Sequence, residues 1–206
     1  MRKVLALGLV VVFMFSLTGC FGGVKLEEDQ MSYVLNKDGE LTYSMYIEDK
    51  DLEDSFDVDF DDKEKEIIED MEDAFDDWDI DAEVTKLKKK DDYANITILI
   101  EDSEDMGDEF ELTLEDYVDD NGYEDIDAFA DDNDFVLFKD EDDVKSKDLE
   151  DYADLYLVSV SGGSDGVYYE VPGKIILVSD KVDFEKVNNN TIYIDKKEYG
   201  YIAYED

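Results

Sequence analysis

The excess of acidic residues constrains this chain more than any other feature of its sequence. Its 206 residues include 61 Asp and Glu against 19 Lys and Arg, which gives a formal net charge of −42. So high a charge opposes compaction through self-repulsion and is often a sign of disorder. The aromatic content of 13% and several alternating apolar segments favour a folded core instead. We therefore expect a folded domain with a solvated acidic coat.

The N-terminus has the pattern of a cleaved export signal. Arg2 and Lys3 precede an apolar run from Val4 that ends at Leu17-Thr18-Gly19-Cys20. The run is too short for a spanning helix, which needs roughly 20 residues, and it ends in the small residues of a cleavage site. The final four residues resemble the lipobox of bacterial lipoproteins. A retained membrane helix and an ordinary secretory signal with a buried cysteine are the two alternatives.

This resemblance divides the chain into three parts. Residues 1–19 are expected to be a lipoprotein signal peptide, and 20–30 to be the lipidated Cys20 with its tether. Residues 31–206 are expected to form a single acidic α+β domain, in which 134–206 is a candidate β-rich lobe. The resemblance implies a covalent lipid on Cys20 with at least two acyl chains, as stable anchoring requires. It places the domain on the outer face of the cytoplasmic membrane of a Gram-positive-type bacterium.

Missing residue types exclude several classes of function. The chain has no histidine, its one cysteine is Cys20, and its one arginine lies in the signal segment. Loss of Arg2 and Lys3 takes the net charge from −42 to −44. Nucleic acid is excluded as a partner because phosphate neutralisation needs a basic face. Histidine-based catalysis, histidine-ligated metal and thiol chemistry are excluded too, and we predict that the protein is not an enzyme.

The hydrophobic periodicity predicts an α+β fold: antiparallel sheet with two or three helices packed on one face. The order is hairpin, helix, hairpin, helix and then C-terminal strands. Asp38-Gly39 is the turn signal of the first hairpin, and Asp91-Asp92 turns the second. An acidic connection is expected over 48–62, and one or two short helices are expected over 113–131.

The strongest helical pattern lies at 63–78. Ile67, Met71, Phe75 and Trp78 recur at helical spacing, with Asp61 as the predicted N-cap. Such a stripe is typical of a core-facing helix. It is also the candidate lining of an apolar-ligand site between this helix and the sheet.

Acidic clusters offer candidate calcium ligands. Asp57, Asp59 and Asp61 have the spacing that opens an EF-hand loop. The pattern fails at Asp62, where glycine is required, and at Ile68, where a bidentate glutamate is required. Looser Ca²⁺ binding by these carboxylates, by Asp119-Asp120 or by residues 140–143 is the alternative that stays open. No other cofactor is expected.

Two catalytic patterns are rejected on context. Residues 162–166 match the G-x-S-x-G nucleophile elbow, but they lie between two predicted strands and no histidine is available. We interpret them as a hairpin loop. A carboxylate pair for glycoside hydrolysis carries no information among 61 acidic residues.

The mature chain resembles the LppM-type lipoprotein domain of Gram-positive cell envelopes. The resemblance rests on the strand-turn-strand segment Tyr33 to Tyr43, on Pro172-Gly173-Lys174-Ile175, and on Asn190-Thr191-Ile192. It implies a non-enzymatic α+β domain at the cell surface, with envelope lipid as a suggested ligand. It supplies no catalytic residues.

Together these observations predict a membrane-anchored surface lipoprotein with a binding or structural role. An apolar or lipid ligand, or a surface protein, is the expected partner. The alternative is an acidic cation-binding or salt-adapted surface protein. Ligand identity and oligomeric state are not determined by the sequence.

Overall fold

A computed structural model describes residues 26–101, 112–162, 166–195 and 199–205. Within them the fold is α+β, as predicted. The strands are β1 Met31–Leu35, β2 Leu41–Glu48, β3 Ala82–Lys90, β4 Tyr93–Ile100, β5 Phe135–Leu137, β6 Asp143–Val144, β7 Tyr156–Ser161, β8 Val167–Glu170, β9 Lys174–Ser179, β10 Phe184–Lys186, β11 Thr191–Ile194 and β12 Tyr199–Glu205. The helices are α1 Asp49–Phe56, α2 Glu64–Asp77, α3 Leu114–Asp120 and α4 Ile126–Asp132, with a 3-10 helix at Ser146–Tyr152.

The described strands form two sheets. The first has seven strands in the order β10-β11-β8-β1-β2-β4-β3, and the second has five in the order β6-β5-β9-β12-β7. Strand pairs are antiparallel apart from β1 with β8, which run parallel. The region from 134 onward is therefore divided between the two sheets, because β8, β10 and β11 join the N-terminal hairpins.

Both predicted N-terminal hairpins are confirmed. Gly39 turns the first hairpin with φ of 79°, a conformation that glycine adopts at little cost. Asp91 turns the second in the left-handed region, with φ of 54°. In β4 every second side chain is buried from Ala94 to Ile100, so the alternation in the sequence fixes which face points to the core.

The helices differ in part from prediction. Helix α2 lies where the periodicity places it, but Lys63 rather than Asp61 precedes it and no side chain caps its N-terminus. Helix α1 lies in the segment expected to be an acidic connection. One or two short helices are expected in 113–131 and two are present, and the Thr113 hydroxyl accepts from the Asp116 N–H as a cap.

The core has two parts. The larger one lies on one face of the first sheet, where α1 and α2 cover β2, β3 and β4, and apolar residues of the second sheet, among them Val178 and Ile202, cover the remainder. The smaller one packs α3, α4 and the 3-10 helix on the far side of the second sheet around fully buried Phe129. The helices are thus split between the two sheets. Within the described residues, no helix has both the length and the apolar character needed to cross a membrane.

Candidate functional site

The predicted apolar stripe on α2 is mostly core. Ile67 and Met71 have no exposed surface, and Phe75 is 6% exposed. All three pack with α1 and the first sheet. An apolar ligand between helix and sheet would have to displace these side chains, and the ligand site remains a prediction.

Trp78 is the exception in the stripe, since 53% of its surface is exposed. It lies at the C-terminus of α2, where its ring is 5.7 Å from that of Phe75 and 5.9 Å from that of Phe56. The ring of Phe75 is nearly perpendicular to it, at 88°. The three rings form an aromatic cluster that is buried at one end and exposed at Trp78.

The candidate calcium ligands are all exposed. Asp57 follows α1 in the left-handed conformation, with φ of 52°. The carboxylate of Asp59 accepts a hydrogen bond from the backbone N–H of Asp61 at 2.9 Å, so one of its oxygens already has a partner within the segment. In the part of the chain that the structure describes, no three acidic or sulfur side chains are grouped to hold a metal ion. Ca²⁺ binding stays a prediction.

Two other predicted features fall wholly or partly outside the described residues. Cys20 and the signal segment 1–19 lie outside them, as do positions 163–165 of the G-x-S-x-G match. The strands on either side of that match are described and correct the hairpin-loop interpretation. Strand β7 belongs to the second sheet and β8 to the first, so the two strands do not pair as a hairpin. The hairpin prediction was wrong because adjacent strands in the sequence need not pair.

The face of the seven-stranded sheet opposite its core is a further candidate surface, which the sequence did not suggest. We call it the outer face. The pairing registers place Tyr193, Tyr168, Ser32, Ser44, Thr97 and Lys86 in one row across β11, β8, β1, β2, β4 and β3. Directly opposed residues point to the same side, and core residues occupy the alternate positions. No helix of the described residues packs on this row.

The centre of the outer face is almost free of charge. Strands β1, β2 and β4 contribute ten side chains to it, and Glu48 is the one charged residue among them. The others are Ser32, Val34, Thr42, Ser44, Tyr46, Tyr93, Asn95, Thr97 and Leu99. One charged side chain in ten is far below the 39% of charged residues in the whole chain, so the centre of this face is a weakly charged patch.

Two polar atoms on this face are buried without a partner. Ser32 is 1% exposed, and its hydroxyl makes no hydrogen bond; one carboxylate oxygen of Glu170, Oε2, is likewise buried and unpaired. Glu170 pairs with Val34, which follows Ser32 by two residues and therefore points to the same face. A buried polar group without a partner costs about 1–3 kcal/mol, so such atoms are uncommon and need an explanation.

Aromatic pairs lie on either side of the serines. The rings of Tyr168 and Tyr193 are 4.7 Å apart, and those of Tyr46 and Tyr93 are 5.2 Å apart. None of the four belongs to either core cluster of the described residues. Partial burial, followed by the nearby carboxylates of Asp29 and Glu48, raises the pKa of Tyr93 to about 12.

Tyr193 is held in place by an unusual contact with glycine. Its hydroxyl bonds to the side chain of Gln30 and lies directly over Gly166, where a Cβ atom would be 2.0 Å from the phenol oxygen. Gly166 also has φ of 92°, which L side chains rarely adopt. Glycine is therefore required here both for backbone conformation and for the position of the tyrosine ring.

Lysines border the outer face at strand β3. No ion pair joins Lys86, Lys88 or Lys90 to a carboxylate within the described residues. Burial, and then the neighbouring charge of Lys88, lowers the pKa of Lys86. These side chains protect the free edge of β3 from pairing with another strand.

A separate depression lies between β5, β6 and the segment before β10. It encloses about 430 Å³ and is lined by Glu141, Asp143, Asp180, Asp183 and Lys181 among others. Its carboxylates are not grouped for a metal, within the described residues.

Comparison of the chain with protein-family models, curated proteins and solved structures gives no match. The functional interpretation therefore depends on the residues of this chain alone. The part of the outer face on β1, β2 and β4 could have been found in the sequence, because Ser32, Thr42, Ser44, Asn95 and Thr97 occupy the alternate positions of strands whose other positions are apolar.

Proposed function

We propose that this protein is a lipid-anchored surface protein of the cell envelope, attached through Cys20, and that its folded domain is a binding module without catalytic activity. The lipobox pattern supports the anchor, and the missing histidine and free thiol support a non-enzymatic role. The observation that carries the binding role is the outer face, which has few charged side chains and holds the unpaired oxygens Ser32 Oγ and Glu170 Oε2.

Replacing Cys20 by serine tests the anchor. A serine hydroxyl cannot accept the lipid that the lipobox resemblance implies for the cysteine sulfur, so we expect the variant to leave the membrane fraction or to stay unprocessed. Fractionation of cells, with immunoblotting of membrane and medium, measures this. Unchanged size and unchanged membrane attachment of Cys20→Ser would contradict the anchor.

The binding role predicts that the outer face is covered in the envelope. A membrane-impermeant tyrosine-modifying reagent, applied to intact cells and to the purified full-length protein, should modify Tyr168 and Tyr193 several-fold less on cells. Tyr199, which is 79% exposed on the second sheet, is the internal control and should react equally in both. Equal reactivity of all three tyrosines in both samples would refute a bound partner, and an unreactive Tyr199 on cells would refute surface exposure.

The acidic surface supports a second candidate function, that of a solvated or cation-buffering coat. No described Asp or Glu falls among the buried residues, and the ion pairs involve partly or fully exposed side chains. Surface pairs of this kind contribute little to stability. Apart from the buried Oε2 of Glu170, the described carboxylates are therefore open to solvent and counterions.

A further inference from the structure

We propose that the outer face binds an uncharged, hydroxyl-rich glycan chain. This inference rests on the proposed binding function and names the chemistry of its ligand. It is carried by the combination of an uncharged centre, a row of hydroxyl groups with unpaired polar atoms, and two pairs of tyrosine rings.

The charge distribution selects against ionic ligands. A polyanion would be repelled by a molecule of net charge −42, and Lys86, Lys88 and Lys90 lie at one edge of the face rather than along it. A cationic ligand would be drawn to the many carboxylates elsewhere rather than to this face, where β1, β2, β4 and β8 contribute only Glu48 and Glu170. A neutral ligand is neither repelled by the net charge nor drawn to carboxylates elsewhere on the molecule.

The hydroxyl row supplies the polar recognition. The Ser44 hydroxyl donates to the Thr97 hydroxyl at 3.1 Å, which leaves the Ser32 hydroxyl beside them without a partner. Glu170 Oε2, on the neighbouring strand, is an acceptor without a donor. Sugar hydroxyls donate and accept, so one ligand group can satisfy both kinds of atom. Both atoms are buried, and the half-buried side chains around them have to shift for a ligand to enter.

The tyrosine pairs supply the apolar recognition. Pyranose rings present C–H groups on their faces, and these are complementary to the electron-rich face of an aromatic ring. Tyr168 on β8 and Tyr46 on β2 are separated by β1 and offset by two residues along the strands. At ordinary strand spacing and rise this is a span of ~12 Å. A short oligosaccharide can lie across the serines and reach both pairs.

The test uses the full-length protein in a detergent without a sugar headgroup. Titration calorimetry is carried out with chitotetraose, cellotetraose and mannotetraose, and with tetragalacturonate as the anionic comparator. We expect at least one neutral tetramer to bind with a Kd below about 1 mM and at least about tenfold more tightly than tetragalacturonate. Absence of neutral binding up to about 10 mM, or equal binding of the anionic tetramer, would overturn the inference.

Variants locate the site. The double variant Tyr168→Ala, Tyr193→Ala should lose at least about tenfold in affinity, because two ring contacts are removed. Tyr168→Phe, Tyr193→Phe keeps both rings and should retain most of the affinity. Tyr199→Ala, a matched exposed tyrosine on the other sheet, should bind as wild type does. Full affinity in the double alanine variant would refute the outer face as the site.

Protection of the wild-type protein keeps the test valid if the double variant fails to fold. The bound tetramer should reduce chemical modification of Tyr168 and Tyr193 and leave Tyr199 unchanged. If those tyrosines are protected on cells but by none of the neutral tetramers, the binding function stands and the glycan is wrong. If they are protected only in a dimer of this chain, detected by light scattering, the occupant is a second copy and the inference fails.

Discussion

Truncating Phe75 to alanine is expected to lower the free energy of unfolding by about 3–5 kcal/mol, the usual cost of removing a buried phenylalanine. Phe75 is 6% exposed and packs edge-to-face on Phe56, with ring centres 5.5 Å apart. The cavity would open in the largest core cluster, between α2 and the first sheet. Urea unfolding of the full-length chain, followed by circular dichroism, measures the change.

Trp78→Ala is the matched control, because it removes a larger ring from the same cluster but from its exposed end. About 1–2 kcal/mol is expected, mainly from the two lost ring contacts. The comparison also bears on the predicted apolar-ligand site. If Phe75→Ala costs no more than Trp78→Ala, the stripe of α2 does not hold the core together, and a ligand site lined by Ile67, Met71 and Phe75 becomes the better explanation.

The local structure was predictable wherever one face of an element is buried. In β4 the apolar residues fall on every second position, and in α2 they fall at helical spacing, so burial reproduces the pattern in the sequence. Helix α1 gave no such signal. It has eight residues, of which only Leu52 is buried, and Leu52 and Phe56 are its two large apolar residues among acidic ones. Tertiary packing decides such a short helix.

The assembly of the sheets was not predictable in the same way. Strand β8 lies more than 130 positions after β1 and yet pairs with it in parallel, a long-range contact that no local pattern encodes. The outer face depends on that pairing, because it brings Tyr168 and Glu170 beside Ser32 and Val34. Charged clusters and a helix stripe are the features by which a sequence suggests a site, whereas the candidate surface is defined by the scarcity of charge.

Replacing Gly166 by alanine is expected to cost about 2–5 kcal/mol of unfolding free energy, through backbone strain and overpacking together. Its φ of 92° is unfavourable for alanine, and the new Cβ would overlap the Tyr193 phenol, 2.0 Å away. The phenol has to move, and its bond to Gln30 is lost with it. The variant should therefore lose stability and also the arrangement of rings at this end of the outer face.

Gly122→Ala separates these two causes. Gly122 has φ of 76° but nothing within 4 Å of an added Cβ, so it carries the backbone strain without the clash. About 1–2 kcal/mol is expected, and no effect on the outer face. Urea unfolding gives the energies, and the reactivity of Tyr193 toward a tyrosine-modifying reagent reports its displacement in Gly166→Ala alone. Equal costs in the two variants, with Tyr193 unchanged, would mean that the phenol does not rest on Gly166 and that the ring pair is not held in the position on which glycan binding depends.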